Sequence, residues 1–180
     1  LLIDADIRRP CLDKALGLKN SAGLVHQLTG KQDWRALVQP TQVMGLEVLT
    51  SGPPPANPAE LLSSWRMRDL VSQALVDYDF VILDSPALLI NAADARILAP
   101  LVDGVVLVVR SGATPRDVVL RARALAKNVI GVILNQLDIR SLSGYYRGYY
   151  GSKTYSGEVS HESKPMETKE TPGRYRVSSS

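Results

Sequence analysis

Three acids and an arginine stand where they can do chemistry together. Asp4, Asp6 and Arg8 form D-x-D-x-R directly after the apolar run LLI, and Asp84 ends a second apolar run, FVILD at 80–84. If the chain stays extended through 4–8, the two-residue period places all three side chains of the first motif on one face. Two like charges beside an arginine are costly unless a cation or a phosphate organises them. Acids of this kind can hold a hydrated divalent cation together with a phosphate. Each acid taken alone has a plainer reading, a solvated strand-end or turn aspartate; their combination is what points to chemistry.

The elements that must carry these residues are visible as short β-branched runs. FVILD (80–84), GVVLVVR (104–110) and VIGVILN (129–135) are separated by helical patterns, and LLID (1–4) and LEVLT (46–50) resemble them. Continuously apolar strands between helices imply a mainly parallel sheet covered on both faces, an α/β doubly wound fold. In such open sheets ligands bind at the carboxyl ends of the strands, where Asp4 and Asp84 fall. A helix is expected to start at NPAE, with Asn57 as cap, Pro58 in the first turn and Glu60 reaching back to the cap, and to run to about Val76. A second starts at TPRD, with Thr114 as cap, Pro115 inside and Asp117 at the positive end of the dipole. Trp34 and Trp65 read as packing residues, Trp65 at helical spacing from Leu61 and Leu62. Arg116, Arg121, Arg123 and Lys127 read as a solvated helix face, and His26 and His161 as ordinary surface or loop histidines.

At 180 residues and 45% hydrophobic, the chain can bury one core. That core is expected in 1–140, with a flexible tyrosine-rich tail at 141–180. From Ser141 onward the only aliphatic or thioether side chains are Leu142, Val159, Met166 and Val177, too few to offset the entropy of ordering the segment. The same stretch holds Tyr145, Tyr146, Tyr149, Tyr150 and Tyr155, five of the seven tyrosines. A formal charge of +3 is too mild to argue for nucleic acid. Cys11 is the single cysteine, which excludes an intramolecular disulfide and a cysteine-built zinc site and fits a reducing compartment. No apolar run reaches the roughly 18 residues of a membrane span. Position 1 is Leu and the opening LLID is already the end of an apolar run, so the sequence is expected to be truncated at its N-terminus.

VILDSP has the form of a Walker B strand, and with LLIDADIRRP as a secondary Walker motif the pair resembles the bacterial protein-tyrosine kinases of exopolysaccharide and capsule assembly, within the deviant-Walker P-loop ATPases. SGPPPANPAELLSS (51–64), VVLVVRSGATPRDVV, GVILNQ and the tyrosine cluster are similar to that family in the same order, over about 1–155.

The resemblance implies tyrosine autokinase activity on ATP and Mg²⁺. Asp4 would lie near the γ-phosphate and receive the tyrosine proton, Asp6 would assist the metal shell, and Asp84 would hold Mg²⁺ through water. Asn135 would recognise adenine or be a strand-terminal turn residue. Arg8 would face the nucleotide or serve structure or a subunit contact, a choice that also stands open for Arg9. Tyr145, Tyr146, Tyr149, Tyr150 and Tyr155 would be phosphorylated between subunits of a homo-oligomer. A membrane polysaccharide co-polymerase, fused or separate, and a cognate tyrosine phosphatase would be partners, on the cytoplasmic side of the plasma membrane. The chemistry also needs a phosphate loop G-x-x-x-x-G-K-[ST], which the chain lacks; Gly30-Lys31 is followed by Gln32. The loop and its strand are expected upstream, leaving this fragment inactive alone. The alternatives are an ATPase of the partition or septum-positioning kind, and a non-catalytic regulatory subunit with a phosphorylatable tail.

Overall fold

The computed structural model describes residues 1–89 and 92–137. All five apolar runs are strands: β1 (Leu2–Asp4), β3 (Glu47–Leu49), β4 (Ile82–Asp84), β5 (Val105–Arg110) and β6 (Val129–Asn135), with a two-residue β2 (Gln39–Pro40) added. Helices α1 (Leu12–Leu16), α2 (Leu24–Leu28), α3 (Pro58–Ser63), α4 (Trp65–Asp77), α5 (Ala92–Leu98) and α6 (Arg116–Leu125) fill the intervals. The class is α/β, as the runs imply. One sheet has the order β2-β3-β1-β4, with β1 parallel to both β3 and β4 and β2 antiparallel to β3. The other is the parallel pair β5-β6. Among the described residues β4 pairs only with β1 and β5 only with β6, so each presents an unpaired edge, and Ile82 and Val108 are exposed there.

The core lies around the four-stranded sheet. Ile3 and Leu49 pack in one cluster with Leu24, Leu28, Leu62, Met67, Leu70 and Ala74, all buried. In α4 the buried positions Met67, Leu70, Val71 and Ala74 fall at i, i+3, i+4 and i+7, one apolar stripe. The expected single helix from Pro58 to Val76 is instead two, because Ser64 is extended at φ −65°, ψ 158°. At about 100° per residue an unbroken helix would turn Arg66 to the side of Leu62 and set Met67 about 140° away. The break brings both Leu62 and Met67 into the core and turns Trp65 out, so Trp65 is 64% exposed under the Arg66 guanidinium rather than packed.

Two caps also differ from expectation. The Asn57 side chain makes no bond to the α3 backbone; its amide donates to the Glu60 carboxylate at 3.1 Å instead. Pro115 rather than Thr114 takes the cap position of α6, since its extended ψ of 148° keeps it out of the first turn. The basic residues of α6 are exposed, and Arg121 pairs with Asp117 one turn away. His26 is half-buried on α2, its Nδ1 unpartnered among the described residues.

Two contacts hold the helices in place. Trp34 is 1% exposed; its indole N–H donates to Gln73 at 3.2 Å, and the Arg35 guanidinium lies 4.6 Å from its ring centroid while bonding Asp77. The N–H groups of Leu24 and Val25 donate to the carbonyls of Thr50 and Ser51 at 2.8 and 2.9 Å, seating α2 on the end of β3. Gly23 permits that approach, because a Cβ there would come within 2.0 Å of the Thr50 carbonyl oxygen. Gly23→Ala is therefore expected to lower unfolding stability by about 2 kcal/mol or more, the cost of overpacking against backbone. Trp34→Ala should cost about 3–5 kcal/mol. Urea denaturation checks both, with Trp65→Ala, an exposed site, near neutral.

Candidate active site

Parallel pairing sets the register Leu2 to Ile82, Ile3 to Leu83 and Asp4 to Asp84. In-register neighbours on adjacent strands project to the same face, so the two carboxylates leave the sheet side by side at its carboxyl edge. The Ala5 N–H donates to the Asp84 carbonyl at 2.8 Å, holding the register to the last residue.

Asp4 is wholly buried. The Leu12 N–H, at the start of α1, donates to its Oδ2 at 3.3 Å, while Oδ1 is buried with no partner among the described residues. Burial raises its pKa to about 6, and Asp84 and Asp6 add to the rise, against the lowering effect of the Leu12 and Cys11 N–H groups. Asp84 is half-buried and also raised, first by burial and then by Asp6. The Cys11 thiol is pushed up by burial and by the surrounding acids, Asp84 and Asp4 foremost, which keeps it a thiol rather than a thiolate.

The extended D-x-D-x-R face does not form. After Asp4 the chain turns, and the Arg9 N–H donates to both the Asp6 carbonyl, at 3.2 Å, and the Asp6 Oδ1, at 3.0 Å. Asp6 stays near Asp4 and Asp84, but Arg8 is carried away to Asp94 on α5. Its Nε donates to Oδ2 at 2.5 Å and its Nη2 to Oδ1 at 3.1 Å. Asp94 is 1% exposed and Arg8 38%. The Asp94 carboxylate raises the guanidinium pKa further, and Asp6 adds a smaller attraction. Asp94 was not foreseen from the sequence; the signal was a lone acid in an otherwise apolar first turn, AAD. Asn135 ends β6, exposed, its Oδ1 accepting from the Gln136 N–H at 2.8 Å. Gln136 takes a left-handed φ of 54°, the one non-glycine to do so among the described residues. Tyr145, Tyr146, Tyr149, Tyr150 and Tyr155, like His161, lie outside the described residues.

Among the described residues no three His, Cys, Asp or Glu side chains close tightly enough around one point to ligate an ion directly. The acids suit an ion that keeps its water shell, as Mg²⁺ does. A carboxyl group whose folded pKa of about 6 exceeds its unfolded value near 3.8 is protonated more readily in the fold. Stability should therefore fall as pH rises from about 4 to 6 and stay reduced above that. Asp4→Asn should remove this slope and stabilise the protein at pH 7 by about 2 kcal/mol, measured by urea denaturation across pH 4–8.

No family model matches the chain. It is 45% identical over 157 residues to the tyrosine-protein kinase YwqD of Bacillus subtilis, which covers 85% of this chain and 65% of YwqD. CapB of Staphylococcus aureus is 34% identical over 155 residues, 84% of this chain and 67% of CapB. ExoP of Rhizobium meliloti, a succinoglycan biosynthesis transport protein, is 36% identical over 162 residues, 86% of this chain and 20% of ExoP. The solved kinase domain of the Escherichia coli tyrosine kinase ETK superimposes with a TM-score of 0.72 at 32% identity, over 88% of this chain and 59% of that domain. The chain thus spans about two thirds of YwqD and CapB and a fifth of ExoP. With this identity, this fold and acids at the ends of β1 and β4, the chain belongs to the bacterial tyrosine-protein kinases.

Proposed function

We propose that the protein transfers the γ-phosphate of ATP to tyrosines of its own tail, between subunits, and thereby regulates the synthesis and export of an exopolysaccharide or capsule. One observation carries the reading: Asp4 and Asp84 emerge in register at the carboxyl edge of a parallel sheet, both desolvated, one with a buried oxygen that has no partner among the described residues. Such an arrangement is costly to the fold and has a use only if something positive or protic comes to it.

The roles follow from the environments. Asp84, half-buried and facing Asp6, would hold hydrated Mg²⁺ through water, with Asp6 helping on the open side of its turn. Bound there, Mg²⁺ would offset the charge on the phosphoryl oxygens. A free phenol has a pKa of about 10, so it must give up its proton as its oxygen attacks the γ-phosphorus and the bond to ADP breaks. Asp4, with a pKa of about 6, is still mostly ionised at neutral pH yet basic enough to take that proton. Asn135 would contact the adenine ring with its amide nitrogen, which has no partner among the described residues.

The substrate tyrosines would be Tyr145, Tyr146, Tyr149, Tyr150 and Tyr155 of a neighbouring subunit. Each phosphate adds roughly −1.5 to −2 charge, enough to turn a basic tail acidic and loosen subunit contacts, and a cognate phosphatase would reset it. The phosphate loop is not among these 180 residues. The unpaired edges of β4 and β5 offer places for the strand that would carry it, and these residues alone are expected not to transfer phosphate. Among the described residues no helix is long and apolar enough to cross a membrane. The whole protein would work on the cytoplasmic face through a polysaccharide co-polymerase, fused or separate, a reading supported by the similarity to ExoP.

In the complete kinase, Asp84→Ala should lower phosphotyrosine labelling of the tail about hundredfold or more. The check is radiolabelled ATP followed by phosphopeptide mapping; labelling that is undiminished in Asp84→Ala, or that falls on no tail tyrosine, would sink the assignment.

A further inference from the structure

Arg8 stands two residues beyond Asp6, in the turn that follows the strand bearing Asp4. A guanidinium on that tether lies close enough to Asp6 to feel its charge, and Arg binds carboxylates through paired parallel hydrogen bonds. Paired that way it would occupy the oxygens a cation needs and place a positive charge where the cation must sit. In the structure it does otherwise. Both of its bonds go to Asp94, whose two oxygens are each taken by Arg8, and the attraction of Asp6 is the weakest of those acting on it. Asp94 is almost wholly buried in the first turn of α5, with little water to stand in for this partner, while the half-exposed Arg8 has water as an alternative. The pair also joins the segment after β1 to the helix that follows β4, across 86 residues of sequence, spanning the two strand ends that deliver Asp4 and Asp84.

We propose that Asp94 is a positioning residue that draws the Arg8 guanidinium off the acidic strand ends, keeping Asp4, Asp6 and Asp84 free for a hydrated divalent cation. The inference rests on the metal-holding reading above and adds the device that keeps the metal site unblocked. Asp94 touches neither metal nor substrate; it acts through Arg8.

The distinguishing experiment is a suppressor test on the complete kinase with Mn²⁺ as probe, its binding followed by electron paramagnetic resonance without turnover. Asp94→Asn, nearly isosteric, should release Arg8 to the acids and weaken Mn²⁺ binding about tenfold, as expected for a unit positive charge moved to within several ångströms of the ion. Adding Arg8→Gln should restore affinity to within about twofold of the parent, because the intruding charge is gone. In the kinase reaction Asp94→Asn should raise the Mg²⁺ concentration needed for half-maximal rate while leaving the rate at saturating Mg²⁺ nearly unchanged. A mere brace behaves differently: removing both partners would leave the double variant as weak as the single one, and that result overturns the proposal. So does unchanged Mn²⁺ affinity in Asp94→Asn. Should Asp94→Asn fail to fold by circular dichroism, the double variant, which buries no unpaired charge, still reports: parental affinity supports the proposal and weak affinity overturns it. The parent protein separates the two levels. If it binds no Mn²⁺, or binds it undiminished after Asp84→Ala, the metal-holding reading falls and this inference with it; if binding depends on Asp84 and ignores Asp94, only this inference falls.

Discussion

The in-register pairing of β1 with β4 is the constraint on which the rest of the molecule depends. It brings Asp4 and Asp84 out side by side, and everything nearby is arranged around two carboxylates that are desolvated and repel each other. An isolated buried carboxylate is among the more expensive groups a protein can hold. Here it is compensated only in part, by the Leu12 N–H on one oxygen of Asp4, and the other oxygen is left without a partner among the described residues. A site kept under that tension is receptive to a proton or a cation, and phosphoryl transfer needs both.

Stability comes from elsewhere. The stripe on α4, the seat of α2 against Thr50 and Ser51, and the Trp34–Arg35–Gln73–Asp77 cluster are all ordinary solutions to burial and hydrogen bonding. None of them involves Asp4 or Asp84. Tyr78 makes the contrast plain: its phenol donates to Glu47 in a partly buried site and its pKa is pushed up to about 12, first by burial. A tyrosine inside the fold is held as a donor and is hard to ionise.

Much of the site was legible in the chain because its parts are local. An apolar β-branched run ending in Asp specifies both the strand and where along it the acid falls, and this held for LLID and FVILD. Arg8 was harder. The period of two that placed it beside Asp4 and Asp6 applies only while the chain is extended, and the Asp6 side chain ends the extension by accepting the Arg9 N–H. Its partner Asp94 lies 86 residues away, a separation that no local pattern encodes. Trp65 failed for a related reason: helical spacing from Leu61 and Leu62 counts only in an unbroken helix, and packing of both Leu62 and Met67 broke it at Ser64.

By itself, then, the sequence determined the class of fold, the order of the strands along the chain and the identity of the acids at their ends, since each depends on composition and period within a few residues. The tertiary structure alone decided that Asp4 and Asp84 share one register, that Asp4 is wholly buried with an oxygen unpartnered among the described residues, and that Arg8 is turned from the site to Asp94. Those are facts about distance and desolvation. They arise only when strands far apart in the chain are laid side by side and water is removed between them.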